Sequence, residues 1–353
     1  MTSVFDTTVR PLDEGAPTPD PVRVPVPVPT SGHWQHSIRK TVWTLNVGPG
    51  PGKRYAPEVC SLTYPLLEGY ARKIGADFRI IQERKFPEWP VVYEKLQIHE
   101  LAKGGRYCNR CNAKLWIRGP ESNGYFRENG VGCGCGGEFI EYPPSEWNIY
   151  IDSDALVNPE MFDITEHLGK DTVAHNGKDM AGVRWSYDQY FRRDGRHIGS
   201  CNWFTIASDW CLDLWRPLDD LAPEEAFRNI HITVGEHNSG ECRTEHLIDD
   251  YTLSRNIARF GLKFKTITDI CGELGWKNES GKGFSPHLYH LYTIPEREKI
   301  SRMLAVLSTP NGQIIMDPRN PEGRPGGPGP IGVGWGLMSP EEANERRKEW
   351  GVR

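Results

Sequence analysis

The sequence predicts an α/β fold, a mainly parallel sheet flanked by helices, with a small zinc-ribbon insertion. Three observations carry that expectation. Apolar stretches of strand and helix periodicity alternate from residue 41 onward. The chain has 353 residues, enough for a large α/β domain with a substantial core. Four of its nine cysteines cluster in a glycine-rich segment that interrupts the alternation.

Residues 1–37, which include "PDPVRVPVPVPT", read as a disordered proline-rich arm, because proline removes backbone donors and little there can be buried. "TVWTLNV" at 41–47 has the β-branched and aromatic content of a buried strand and runs into the turn-forming "GPGPGK". From Tyr55 to Lys73 the apolar residues Val59, Leu62, Leu66, Leu67 and Tyr70 fall at helical spacing, with Pro57 near the start and Gly75 at the stop. "DFRII" follows as a strand, "VVYEKLQIHELAKGG" at 91–105 as a helix closed by glycine, and "NIYIDSD" as the next strand. Later strands are expected at "DTVAH", "MAGVRW", "NWFTIA", "KFKTI" and "HLYHLY", and helices at 208–215 and 245–260. The main domain is placed at 38–308, with the insertion at 104–140. Residues 309–353 read as a Gly/Pro-rich, loop-like tail ending in a short helix at 340–350.

The net charge of −5 and pI near 6.1 argue against nucleic-acid binding by bulk electrostatics, while leaving room for a local basic groove. Residues 1–30 contain no long apolar run, so neither a signal peptide nor a membrane anchor is expected there, and cytoplasmic residence without a membrane partner is the simplest inference. An odd cysteine count without a secretion signal points to reduced thiols and a metal site instead of a disulfide framework.

"EWNIYIDSDALVNPEMF", residues 146–162, runs an apolar strand into two carboxylates, Asp152 and Asp154. Two acids beside a buried strand repel each other and resist desolvation, which a divalent cation between them relieves. Aspartates that cap the following turn are the alternative for the isolated triplet.

These residues, with "VVYEKLQIHELA", "YARKIGADFRII", "HIGSCNWFTIASDWCLDLW", "EHLIDDYTLSRNI" and "SPHLYHLY", resemble the nucleotide-sugar glycosyltransferases of GT-A (Rossmann-like) fold. The closest likeness is to the family of plant xyloglucan xylosyltransferases and galactomannan galactosyltransferases, over about residues 41–305 apart from the cysteine insert. The resemblance implies a metal-dependent, retaining transfer of a sugar from a nucleotide diphosphate donor, a UDP-sugar favoured, to an acceptor hydroxyl. It makes Asp152 and Asp154 the ligands of Mn²⁺ or Mg²⁺, completed by a late histidine, His290 or alternatively His287. Only one of those two can face the site from a strand, since they lie an odd number of residues apart. It also implies donor contacts at Thr44, Asn46, Lys95 and Ser153, and a carboxylate at Asp249 or Asp250 near the sugar. His175, Asn176, Ser200 and Asn202 become candidates for the acceptor or sugar cleft, although "IGSCN" departs from the Asn-Thr-Gly of relatives.

Cys108 and Cys111, then Cys133 and Cys135, form two close thiol pairs that fit a structural Zn²⁺ ribbon, with neighbouring glycines allowing the sharp turns. Four thiolates leave no open coordination position, so this zinc would be structural. The acceptor stays open, a modified nucleobase in DNA among the candidates. Two other readings compete. A nucleotidyltransferase would want a Gly-Ser helix start and a third strand carboxylate that are not apparent; a zinc-ribbon nucleic-acid or protein binding module could sit on an inactive glycosyltransferase scaffold.

Overall fold

The computed structural model describes residues 39–48, 55–108, 136–179, 198–237, 247–274, 287–290 and 294–352. The proline-rich arm, the expected strand "MAGVRW" and most of the cysteine insertion lie outside the described residues. In chain order the elements are β1 (Lys40–Leu45), α1 (Pro57–Lys73), β2 (Ala76–Ile81), a 3-10 segment (Val91–Gln97) leading into α2 (Ile98–Leu101), β3 (Gly105–Cys108), β4 (Phe139–Tyr142), β5 (Trp147–Ile151), β6 (Ala155–Val157), β7 (Thr172–Asp179) and β8 (Ile198–Ser208). There follow a 3-10 segment (Asp209–Trp215), α3 (Pro223–His237), α4 (Ile248–Arg259), β9 (Lys263–Thr266), α5 (Ile267–Glu273), β10 (Leu288–His290), α6 (Glu296–Ser308), β11 (Ile314–Met316), β12 (Pro330–Val333) and α7 (Pro340–Glu349).

The central sheet has the strand order β2-β1-β5-β8-β7-β9. β1 lies parallel to β2 and β5, and β7 parallel to β9, while β8 runs antiparallel to both β5 and β7. The sheet is thus mainly parallel, as the alternation of elements predicts, with one reversed strand. Every residue of β5 is buried, which is what a strand covered on both faces requires.

One face carries Trp43, Tyr150, Val173 and Ala207, packed under Leu96, Ile98, Leu101, Trp215 and the α4 residues Ile248, Tyr251 and Ile257. The other carries Val42, Ile149, Ile151, Phe204 and Ile206, packed against Leu67, Tyr70 and Ala71 of α1 and Ile267 and Ile270 of α5. Cross-strand register places Arg79, Trp43, Tyr150, Thr205 and His175 in one row on the first face. That row leads toward the site described below.

Three expectations need correction. The helix expected over 91–105 is wound as a 3-10 segment through Gln97, because its polar residues are pulled inward by tertiary partners. Glu94, fully buried, accepts from the backbone N–H groups of Lys85 and Phe86, both at 2.9 Å, and from Gln97 Nε2 at 2.7 Å. The segment expected as a helix at 208–215 is likewise 3-10, capped by Ser208 Oγ, which accepts from Trp210 N–H at 3.1 Å.

The loop-like tail after 308 is packed structure. β11 and β12 pair, and Trp335, Ala343 and Val352 are buried with Leu156, Tyr289, Met303 and Leu304. Trp335 N–H donates to the Val306 carbonyl at 2.7 Å. At Gly334 a Cβ would stand 2.5 Å from the Thr309 and Pro310 carbonyl oxygens, so only glycine lets the chains approach there. These buried residues are scattered among prolines and glycines without any helical or strand period, which is why periodicity misses them. The expected terminal helix does form as α7, with Ser339 Oγ accepting from Glu342 N–H at 3.1 Å. Among the described residues no helix is long and apolar enough to cross a membrane.

Candidate active site at the tip of β5

β5 ends where its carboxylates begin. Asp152 N–H continues the ladder by donating to the Trp203 carbonyl at 2.8 Å, and Ala155 N–H donates back to the Asp152 carbonyl at 3.1 Å, closing a tight turn over Asp152, Ser153 and Asp154. Thr63 of α1 pins that turn by donating to the Ser153 carbonyl at 2.6 Å. β6 then leaves antiparallel to β10, with Ala155 opposite His290. This short ladder is what carries His290 across 136 residues of sequence to Asp154, its Nε2 lying 3.2 Å from Asp154 Oδ1. The imidazole is held flat by Trp203, whose ring stacks on it at 4.9 Å and 13°.

One ligand atom each from Asp152, Asp154 and His290 lie within 4.8 Å of one another. Two carboxylates and one imidazole suit a divalent ion of the Mg²⁺ or Mn²⁺ kind, the nitrogen favouring Mn²⁺. Asp152 Oδ1 accepts from Tyr150 OH at 2.6 Å, and Lys95 Nζ lies 3.5 Å from the same oxygen; Oδ2 has no partner among the described residues. The donor set therefore fits such an ion. His290, and not His287, falls in this cluster; the His287 imidazole feels the charges of Lys73 and Glu160, and burial lowers its pKa.

Asp154 is the more heavily compensated acid. Burial would raise its pKa, but the hydrogen bond and charge of His290, with the ammonium of Lys299, hold it well below the carboxylate range. Lys299 of α6 is ion-paired to Oδ2, and Tyr55 OH donates to that oxygen at 3.3 Å. Burial, reinforced by Asp154, pushes the Tyr55 phenol far up, so it serves as a donor. Asp152 moves the other way: burial raises its pKa against the pull of Lys95.

Lys95 is 2 % exposed, with Nζ 2.5 Å from Asp249 Oδ2 and 4.5 Å from the Tyr150 ring centroid. Burial alone would depress its pKa; Asp152 and Asp249 overcome this and raise it well above the ordinary lysine value. Asp249 and Asp250 sit in the first turn of α4, both buried, a position the helix dipole favours for acids. The lysine expected to meet the donor is instead enclosed between carboxylates.

Other expected contacts are placed differently from one another. Thr44 is fully buried and its Oγ1 has no partner among the described residues, so it does not open onto a donor. Asn46 Oδ1 accepts from Tyr55 N–H at 2.8 Å. Ser153 is buried in its turn. His175, expected in the cleft, is 1 % exposed and stacked on Phe264 at 5.6 Å. Asn176, Ser200 and Asn202 lie on β7 and β8, but their side chains are outside the described residues. So do Cys111, Cys133 and Cys135; Cys108 ends β3 fully buried.

Sequence reasoning missed Tyr55, Tyr150 and Lys299. The last had a signal: Pro295 precedes Glu296, Glu298, Ile300, Met303, Leu304 and Leu307, an amphipathic helix whose Lys299 falls on the edge of the buried side.

No protein-family model matches the chain, and no curated protein does. Solved structures similar to it include two glycosyltransferases. One is a glycosyltransferase involved in the glycosylation of the major capsid of PBCV-1, at 11% identity and a TM-score of 0.37, covering 75% of this chain and 98% of that one. The other is the galactosyltransferase LgtC in complex with donor and acceptor sugar analogs, at 11% identity and a TM-score of 0.32, covering 64% of this chain and 72% of that one.

Proposed function

We propose that this protein is a metal-dependent glycosyltransferase of GT-A type, moving a sugar from a nucleotide diphosphate donor, a UDP-sugar favoured, to an acceptor hydroxyl. The observation that carries the reading is the convergence of Asp152, Asp154 and His290 within 4.8 Å at the carboxyl end of a mainly parallel sheet, where ligands of such sheets gather. The three side chains would hold Mn²⁺ or Mg²⁺. An ion bound there would supply Lewis-acid charge to the departing diphosphate.

The chain's own residues do the rest. Tyr150 OH orients Asp152 through Oδ1, and Trp203 fixes the plane of the His290 ring. Lys299, already paired with Asp154, would add a fixed positive charge to the stabilisation of a departing diphosphate. Asp249, with one oxygen engaged by Lys95, and Asp250 are the carboxylates assigned to donor hydroxyls or to the developing cationic sugar. The resemblance to the plant enzymes supports retention of configuration. A modified nucleobase in DNA is one candidate for the acceptor.

Incubation with a panel of nucleotide sugars and Mn²⁺ tests the reading. Slow donor hydrolysis or transfer is expected with at least one donor and lost with chelator. Absence of both donor binding and hydrolysis across the panel would sink it.

For the insertion we propose a structural Zn²⁺ held by Cys108, Cys111, Cys133 and Cys135. The buried end of β3, paired with β4 at Cys108–Phe139, supports a rigid first ligand. Cys108→Ser is expected to lower zinc content and thermal stability together, since structural zinc contributes folding energy directly. Unchanged zinc stoichiometry by elemental analysis would remove the ribbon proposal.

A further inference from the structure

The metal site proposed above has a cation of its own. Lys95 Nζ stands between two carboxylates, 2.5 Å from Asp249 Oδ2 and 3.5 Å from Asp152 Oδ1, over the Tyr150 ring. Asp152 is therefore shared: it is bound to a fixed ammonium, and it also belongs to the trio with Asp154 and His290. A carboxylate shared by two cations is the arrangement of two-metal sites, in which the ions stand about 3.5–4 Å apart and clamp an in-line displacement. Here one of the two positive positions is covalently attached to the chain.

We propose that Lys95 sets the metal stoichiometry of the site: its ammonium occupies a second cation position, between Asp152 and Asp249, and so limits the site to one exchangeable divalent ion. The chemistry fits the position. An ammonium is a compact point charge with three donors, able to serve both carboxylates and the face of Tyr150 at once. Asp249 is buried with it and paired to it, and breaking a buried ion pair is strongly destabilising, which favours a cation that is always present. A lysine fills it permanently, whereas an ion would come and go with metal concentration. A single exchangeable ion would then be held by Asp152 with Asp154 and His290, and the α4 carboxylate is tied to the β5 tip without a metal.

The inference rests on the metal-site reading, and Mn²⁺ titration of the full chain, followed by electron paramagnetic resonance and calorimetry, separates the two. The wild type is expected to take one Mn²⁺. Lys95→Ala is expected to take two, with a spin-coupled signal, and to show reduced thermal stability that Mn²⁺ restores. Lys95→Ala/Asp249→Asn, which removes the second carboxylate, is expected to return to one. A wild type that binds no Mn²⁺ would overturn the metal site itself. If the wild type binds one ion, the Lys95 proposal alone falls on any of three results: Lys95→Ala folded with a single Mn²⁺ at wild-type affinity, Lys95→Ala remaining unfolded in excess Mn²⁺, or the double variant keeping two ions.

Discussion

Asp152→Asn is expected to lower turnover by at least ~100-fold, about 2.7 kcal/mol of transition-state stabilisation, and Asp154→Asn by as much or more. The substitution keeps shape and removes charge where the leaving diphosphate would need it. The two variants differ in what they leave behind. Asp154 is the partner of Lys299, His290 and Tyr55, so its neutralisation strands a buried ammonium and should also reduce stability. Asp152 shares Lys95 with Asp249, which retains the ammonium at 2.5 Å when Asp152 is lost. Asp152→Asn is therefore the cleaner probe of chemistry. Steady-state rates with the best donor, alongside thermal melts, distinguish the effects, and near-wild-type turnover in both variants would refute the assignment.

The second large effect lies in stability against pH. His175 is enclosed on the first face of the sheet, with neither ring nitrogen hydrogen-bonded among the described residues, and burial pulls its pKa from 6.5 down to about 4, slightly opposed by Asp269. The unfolded chain takes up a proton near 6.5 that the folded chain refuses until about 4. Between those values the unfolded state binds more protons, so stability falls as pH falls. This one group accounts for about 3 kcal/mol, present in full above pH 6.5 and lost once the folded pKa is passed. His175→Phe keeps an aromatic ring against Phe264 and cannot titrate. Urea unfolding at pH 7, 5.5 and 4.5 should show the wild type progressively losing most of that amount relative to His175→Phe, the last pH lying just above the folded pKa. A difference between the two proteins that does not change with pH would contradict the account.

Much of the site's skeleton was legible without coordinates. Asp152 and Asp154 are adjacent in sequence to a strand whose composition marks it as buried, and strand parity allowed only one of His287 and His290 to reach them. α1, β1, β2 and β5 were equally plain, because each announces itself through local periodicity and its own turn residues. The reversed direction of β8 was not, since a strand's sequence does not state which neighbour it will join. Lys95 looked like a helix lysine open to a ligand; only the fold, by bringing in a carboxylate 154 residues away, made it an internal counter-ion.

The sequence by itself determined α1, β1, β2 and β5, that the sheet is mainly parallel, and where its paired acids fall, because these depend on spacing within about a dozen residues. The tertiary structure decided which distant side chains compensate those acids, Tyr55, Lys95 and Lys299 from a loop, a 3-10 segment and α6, and supplied the β6–β10 pairing that carries His290 to Asp154. The reason is physical. Periodicity is written locally along the chain, whereas the compensation of a buried charge is a requirement in space, met by whichever distant side chain the packing of the core delivers.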